Sequence, residues 1–301
     1  QLVACGIDDA GISGGSSSGS SKSSSEVATV QRAGESLQEI SGSVGDGPIT
    51  GATITVLDTN GEILAIAFSD DTATYNSAVQ AEPDDYPLIL EVSGGIDLVT
   101  GTEPDFQMVS VVMSAADDQV NINPFTTIIV KAAQSMPGGV TQENIQLARA
   151  FIANDLEFGL DYDAVPDPVT TIITDDNIAH IVKASETLGE MIRRVRDASA
   201  AAGEVLSGDD VVDIISADMV DGFLDGIGAH DTYAEIATLV RVVSAQVLVE
   251  SLGNQLKVNG VVASGAMDNA IQISHPYVDG SALTGSVGVT PYLLAQTKAL
   301  L

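Results

Sequence analysis

The fold of the N-terminal half is decided by GPITGATITVLDTNG, residues 47–61. Apolar and β-branched residues alternate from Ala52 to Leu57, with the period of two that is typical of a half-buried strand. Asn60-Gly61 follows, and this pair accepts the positive φ angles that a tight hairpin turn requires. The stretch therefore predicts an antiparallel hairpin whose second strand resumes at Leu64.

The same period of two continues on both sides of this hairpin. The predicted strands cover residues 37–44, 52–57, 64–68, 75–79, 88–92 and 108–113. Short strands that repeat every ten residues or so, with turn residues between them, indicate a β-sandwich.

This part of the chain also resembles a known family. The residues that carry the resemblance are Ser41-Gly42-Ser43-Val44, Gly47-Pro48-Ile49-Thr50-Gly51-Ala52, Val56, Asn60-Gly61, Asp70 and Tyr75. Together they resemble the carboxypeptidase regulatory-like domain. The resemblance implies a small Ig-like or transthyretin-like sandwich, used by secreted proteins as a non-catalytic spacer or binding module. The chain departs from the family pattern at Ala73, where glycine is usual before the tyrosine.

From Asn123 onward the period changes to 3.6, which indicates helices. Asn123 is a suitable N-cap, and Pro124 occupies the first turn, where a helix tolerates proline. Two further pairs, Ser207 with Asp210 and Thr232 with Glu235, are spaced as capping boxes. The predicted helices cover residues 124–136, 141–156, 175–202, 211–224 and 232–252. Short loops between such helices are typical of an antiparallel helical bundle.

The predicted fold class is therefore an α+β multidomain chain, with an N-terminal Ig-like antiparallel β-sandwich followed by an all-α helical bundle. Its expected parts are a tether over residues 1–35, the sandwich over 36–122 and the helical domain over 123–301. Almost no linker separates the last two, so we expect a fixed interface. The helical domain is predicted to be truncated, because the pattern from Thr290 to Leu301 shows no capping residues.

Leu2-Val3-Ala4-Cys5 resembles the bacterial lipobox, whose cysteine is diacylated. Cys5 is the only cysteine of the chain, so it has no partner for an internal disulfide. The Gly/Ser-rich tract from Gly11 to Ser25 is typical of a flexible tether. We therefore expect a membrane anchor at Cys5, on the bacterial outer membrane or cell surface, with Gly6 favouring the outer membrane. The alternative is a terminus with an incidental cysteine.

The chain carries 42 acidic and 11 basic residues, for a formal charge of −31. This balance excludes nucleic-acid binding, which needs clustered Lys and Arg, and a flat attachment to an anionic membrane. Solubility alone is the alternative explanation of the charge. Aromatic residues make up 4% of the chain and Trp is absent, which counts against a sugar-binding surface.

Residues that indicate catalysis are scarce. His180, His230 and His275 include no pair at the spacing of a helical zinc site, and no G-x-S-x-G nucleophile motif occurs. The sequence therefore predicts a protein that is not an enzyme. The basic run 193–196, RRVR, has two interpretations: a docking patch for an acidic ligand, or local pairing with Glu190, Asp197 and carboxylates of other helices. The second is favoured.

Two loops are candidate binding sites. Asp161, Asp163 and Asp167 offer oxygen ligands suited to Ca²⁺, although the run lacks the glycine and glutamate of an EF-hand. A solvated loop or helix cap is the alternative, and no other cofactor is predicted. The second candidate is the contact loop Ser93, Gly94, Gly95 and Asp97, expected to be exposed at one end of the sandwich.

Taken together, these patterns predict a non-catalytic cell-surface lipoprotein that serves as an adhesion, binding or structural module. One alternative is the anchoring and spacer region of a larger secreted hydrolase. Another is a subunit of an extracellular filament or matrix polymer. The expected partners are the membrane, through the lipid anchor, and other surface or matrix proteins or further copies of the chain.

Overall fold

The computed structural model describes residues 28–29, 37–229 and 233–278. The chain has a mixed architecture, with antiparallel sheets in its N-terminal part followed by six α-helices within the described residues. The strands are β1 (Ala28–Thr29), β2 (Leu37–Ser43), β3 (Ile49–Thr50), β4 (Thr53–Leu57), β5 (Ile63–Phe68), β6 (Thr74–Gln80), β7 (Leu88–Ser93), β8 (Ile96–Asp97), β9 (Met108–Val112), β10 (Lys257–Val258) and β11 (Val261–Val262). The helices are α1 (Pro124–Ser135), α2 (Gln142–Asp155), α3 (Ile178–Ala202), α4 (Gly208–Asp218), α5 (Ala234–Leu252) and α6 (Ser264–Ser274).

The main sheet has five strands in the order β1-β5-β4-β7-β9, and every neighbouring pair is antiparallel. The pairs β2–β6 and β3–β8 form two smaller sheets. All six strands predicted from the alternation are confirmed, with ends that differ by at most one residue. The hairpin expected at residues 52–68 is β4–β5. Its turn is closed by Asp58, whose carboxylate accepts the backbone N–H groups of Asn60 and Glu62.

The first helix is joined directly to the last strand of the main sheet. Asn123 is the predicted N-cap, and with Thr126 it forms a capping box that was not predicted, in which the Asn123 side chain accepts the Thr126 N–H. The Thr126 hydroxyl donates to the Val109 carbonyl at 2.7 Å, and the Val109 N–H donates to the Thr127 hydroxyl at 3.1 Å. Both threonines are fully buried. The same turn therefore starts α1 and fixes it against β9.

The apolar core continues without a break from the strands into the helices. Val111 of β9, Ile128 of α1 and Leu188 of α3 all belong to the same buried cluster. The central element is α3, which packs against α1, α4, α5 and α6. Most of its residues are buried, so α3 has little free surface.

Three helix boundaries differ from the prediction by three residues or more; one is the start of the fourth helix, expected at residue 211 and observed at Gly208, directly after the Ser207 cap. The third helix was expected from residue 175 but begins at Ile178, because the Asn177 side chain accepts the Thr174 N–H and closes a separate turn. The fourth was expected to reach residue 224 but ends at Asp218. A 3-10 turn follows, Gly222 takes a positive φ of 89°, and the Asp218 carboxylate accepts the Gly226 N–H.

The structure also contains elements for which the sequence pattern raised no expectation. These are α6, the β10–β11 hairpin, the short β3–β8 pair, and β1, which lies inside the segment predicted to be a tether. The spacing of Met267, Ala270 and Ile271, all buried on α6, is the helical signal in that region. Within the described ranges, no helix is long and apolar enough to cross a membrane.

Tyr75, the last residue of the family resemblance, is buried, and its hydroxyl donates to the Val120 carbonyl at 2.7 Å. We expect Tyr75→Phe to lower the free energy of unfolding by about 1–2 kcal/mol, because a buried carbonyl loses its donor. Urea unfolding followed by circular dichroism measures this. Tyr277→Phe is the matched control, since Tyr277 is 92% exposed and its variant should be unchanged. Equal stabilities of the two variants would contradict the role of this hydrogen bond.

Candidate functional site

A cleft of about 410 Å³ lies where the β2–β6 pair meets the helices. We call it the interface cleft. Its walls are β2 with the turn that follows it, the start of β6, the segment before α1, the first turns of α3 and the end of α6. Small-molecule sites in proteins occupy roughly 300–1,000 Å³, so the cleft has the size of such a site.

The lining of the interface cleft combines apolar and polar side chains. The apolar ones include Val44, Pro48, Phe68, Ile173, Ile178 and Val182, and the polar ones include Ser43, Asp46, Asp70, Asn76, Asn121, Ser185 and His275. Both charged lining residues are aspartates, and no Lys or Arg lines the cleft in the part of the chain that the structure describes. The cleft is therefore suited to neutral or cationic groups.

Three lining residues have a buried polar atom without a hydrogen-bond partner among the described residues: Asp46 Oδ1, Ser185 Oγ and His275 Nδ1. Ser185 is only 1% exposed. Burial lowers the pKa of His275, against the opposing effects of Asp175 and a hydrogen bond with the Ile173 backbone, so neutral imidazole is favoured. Buried polar atoms in native proteins nearly always have partners, so these atoms leave hydrogen-bonding capacity unused at the cleft lining.

At one side of the cleft, Asp46 belongs to a buried cluster of charges. We call it the Arg193 cluster; it comprises Arg193, Asp46, Glu186, Glu190 and Asp97. The Arg193 guanidinium contacts three of the carboxylates, with Nη1 at 2.7 Å from Asp46, Nη2 at 3.2 Å from Glu186 and Nε at 2.9 Å from Glu190. Each of the five residues is at most 4% exposed. The cluster joins the turn after β2 to the middle of α3.

Glycines make room for this cluster on both sides. A Cβ atom at Gly189 of α3 would lie 2.1 Å from Asp46 Oδ1. A Cβ atom at Gly47 would lie 2.6 Å from Asp97 Oδ1 and 2.7 Å from Glu186 Oε1. Any side chain at these two positions would therefore force the charged groups apart.

The carboxylates of the cluster exceed the charge that Arg193 supplies. Burial raises the pKa of Asp46 to about 7; Arg193 opposes the shift, while Asp97 and Glu190 add to it. Burial, together with Asp46 and Asp97, raises the pKa of Glu186 well above its ordinary value. Burial disfavours the charge of Arg193, but the surrounding carboxylates outweigh this and raise its pKa. Asp46 and Glu186 therefore retain protons at a pH where exposed carboxyls are ionised.

The exposed-loop interpretation does not hold for Asp97. Ser93 and Gly94 are exposed, but Asp97 is 2% exposed. Its carboxylate accepts the Val99 N–H at 2.8 Å and the Thr100 hydroxyl at 2.7 Å. Asp97 closes a turn at this end of the sheet and belongs to the Arg193 cluster. It therefore serves packing and is not part of an exposed contact loop.

The expected local pairing of the basic run 193–196 is confirmed. Arg194 pairs with Glu190 at 2.7 Å and with Glu250 of α5 at 2.7 Å, while Arg196 pairs with Asp197 at 2.8 Å. The contact between Arg193 and Asp46 was not expected. No local spacing connects these two residues, because 147 positions separate them.

The structure does not assemble the three aspartates of the expected calcium site. Asp161 accepts the Asp163 N–H and lies 3.8 Å from His180 Nδ1, whereas Asp167 pairs with Arg149 at 2.9 Å. Within residues 37–229 and 233–278, no group of three or more His, Cys, Asp or Glu side chains is arranged to hold a metal ion. Calcium binding there stays a prediction without geometric support. Cys5, His230 and Thr232 lie outside the described residues.

No protein-family model, curated protein sequence or solved structure matches this chain. The resemblance of residues 41–75 to the carboxypeptidase regulatory-like domain therefore stays a prediction. The functional inference depends on the cleft and its chemistry.

We expect Gly189→Ala to destabilise the protein by about 1–3 kcal/mol, because the new methyl group overlaps the Asp46 carboxylate. The loss should appear although alanine is the better helix former by about 1 kcal/mol. Gly265→Ala in α6 is the control, since a Cβ there meets no atom within 4 Å and should leave stability equal or higher. Urea unfolding of both variants gives the comparison. A stabilised Gly189→Ala variant would show that Asp46 does not pack against α3.

Proposed function

We propose that this chain is a non-catalytic binding module of a lipid-anchored cell-surface protein, and that the interface cleft binds its ligand. The observation that carries the proposal is the cleft itself. It has the volume of a small-molecule site, and Ser185 and His275 bring unpartnered buried polar atoms to its lining. A concave, partly apolar pocket with a few polar groups is the usual form of a binding site.

The arrangement of the polar groups favours binding over catalysis. Ser185 Oγ has no hydrogen bond among the described residues, so it is not paired with the imidazole of His275. Asp46, one of the two acids of the same cleft, forms an ion pair with Arg193 at 2.7 Å. A nucleophilic serine is normally activated by an adjacent base that a third group orients, and these contacts do not form that arrangement.

The lining also restricts the ligand. Asp70 lies at the cleft, and although burial opposes the shift, hydrogen bonds from Thr72 and Thr74 lower its pKa, so it is ionised. With an ionised Asp70, side-chain amides, and neither Lys nor Arg among the described lining residues, the cleft favours a neutral or cationic molecule. The apolar residues Phe68, Ile173 and Val182 favour a molecule with an apolar part.

For the architecture, we propose an Ig-like sandwich and a helical bundle. The first is supported by two antiparallel layers, since β6 of the smaller pair lies against β5 of the main sheet. The second is supported by the packing of α1, α4, α5 and α6 around α3. In this arrangement the cleft lies at the junction of the two parts, where small-molecule sites are frequent.

The absence of tryptophan provides a direct test of the cleft. Asn76 is an exposed residue of β6 that lines the cleft, so Asn76→Trp introduces a single tryptophan at its rim. We expect saturable fluorescence changes with benzylamine and benzyl alcohol but not with benzoate, because the cleft carries negative charge only. Glu39→Trp, exposed on the neighbouring β2 and outside the cleft, is the control and should not respond. No saturable response of Asn76→Trp to any of the three compounds would contradict the binding proposal.

The lipid anchor is tested independently at Cys5, which follows the lipobox-like Leu2-Val3-Ala4. Two or three acyl chains bind a membrane durably, at about 0.8 kcal/mol per buried methylene. In bacteria that express the precursor, a clickable palmitate should label the wild-type protein and leave Cys5→Ser unlabelled and released from the membrane fraction. A Cys5→Ser protein that stays in the membrane fraction would overturn the anchor.

A further inference from the structure

We propose that the Arg193 cluster is a proton-controlled latch of the interface cleft, which holds the turn after β2 against α3 when protonated and loosens when deprotonated. The latch rests on the cluster geometry alone. Its effect on a ligand rests in addition on the proposed function of the cleft.

The latch has two sides. Asp46 belongs to the turn after β2, and Glu186, Glu190 and Arg193 belong to α3. Arg193 provides the only cation in direct contact with Asp46 within the described residues, and it donates one hydrogen bond to each of the three carboxylates. Two oxygens of the cluster, Asp46 Oδ1 and Glu186 Oε1, are buried and have no partner among the described residues. A proton on either carboxyl removes the charge repulsion between Asp46 and Glu186. The other oxygen of that carboxyl keeps its contact with Arg193.

The surrounding groups do not correct the charge imbalance. Asp97 adds a fourth buried carboxylate. Asp105 lies 4.0 Å from Arg193 but pairs with Arg196 at 2.7 Å. Arg194, the next cation along α3, is occupied by Glu190 and Glu250.

Full ionisation therefore places four buried carboxylates around one guanidinium. Like charges repel strongly where water is excluded, because the effective dielectric constant is low. The raised pKa values of Asp46 and Glu186 agree with this geometry.

The cluster is mechanically connected to the cleft. Val44 to Pro48, the residues around Asp46, line one wall. Val182, one turn before Glu186, and Ser185, directly before it, line the opposite wall. Repulsion between Asp46 and Glu186 acts across this pair of walls. Protons thus favour the closed arrangement, and their loss favours a wider cleft.

The sign of the effect on folding follows from proton binding. The folded chain keeps a proton on Asp46 up to about pH 7, whereas an unfolded chain releases it near 3.8. Because the folded state binds more protons in this interval, the contribution of Asp46 to stability is full below it and is lost as the pH rises through about 7.

The first experiment compares Asp46→Asn with wild type by urea unfolding at about pH 5 and about pH 8. In wild type we expect the folded-to-unfolded ratio to fall by roughly tenfold to a hundredfold between these values, through the proton on Asp46. In Asp46→Asn the fall should be smaller by about this factor, because the amide resembles the protonated acid, while the contributions of Glu186 and Glu157 remain. Asp213→Asn, at an exposed carboxylate paired with Lys131, is the control and should keep the wild-type dependence. An unchanged dependence in Asp46→Asn would overturn the latch, and Glu186→Gln provides the second test if Asp46→Asn does not fold.

The second experiment measures opening directly. In wild type, hydrogen exchange at Gly45 and Gly47 should accelerate between about pH 6 and pH 8 by more than the intrinsic base-catalysed increase. In Asp46→Asn it should follow the intrinsic increase alone. Equal acceleration in both proteins would overturn the latch.

Binding of benzylamine to Asn76→Trp at the same two pH values separates this proposal from the proposed function. If the latch holds and the cleft binds nothing, the stability effect is present without any binding response. If the cleft binds and the latch fails, Asp46→Asn in the Asn76→Trp background leaves the pH dependence of binding unchanged. His275 lines the same cleft, and its imidazole is also titratable. The His275→Gln variant removes its contribution to the pH dependence of stability and of binding.

Discussion

The Arg193 guanidinium lies at the point where the strands and the helices of this chain are tied together. Its contact with Asp46 spans 147 residues of sequence and is closed to solvent on both sides. Removing charges from water costs several kcal/mol per ion, and such contacts add little net stability. Their effect is on specificity, because any other arrangement leaves buried carboxylates without Arg193. The relative position of the turn after β2 and α3 is therefore defined more sharply than apolar packing alone would define it.

The contact between Arg193 and Asp46 explains the position of two glycines in the sequence. Gly189 places a residue that weakens helices in the middle of α3, at the point where the Asp46 carboxylate approaches. Gly47 likewise leaves room for carboxylates, because it lies beside Asp97 and Glu186. The burial of most of α3 agrees with this contact, because one side carries the charges and the others pack against neighbouring helices.

Local structure was predictable from the sequence because local rules decide it. Gly61 takes the positive φ that its turn requires, Asn123 caps α1, and alternation specifies the strands. The end of α4 was missed because Gly222, in a left-handed conformation, interrupts a pattern that apolar spacing alone continues. The cleft and the Arg193 cluster were not predictable, since they combine residues from distant segments. Only an indirect signal existed: in a chain with so few basic residues, an arginine in an apolar helical stripe must find carboxylates elsewhere.

The junction between α1 and β9 has a consequence for assembly. Sheets that end in a free strand can recruit a strand from another molecule, which is the common route to fibres and exchanged dimers. At β9 the Val109 N–H donates to the Thr127 hydroxyl, and the Val109 carbonyl accepts the Thr126 hydroxyl, both from α1. A helix of the same chain thus occupies the place where a sixth strand would add. Growth of the main sheet from molecule to molecule is blocked on that side, so any polymer of this protein must be built through other surfaces.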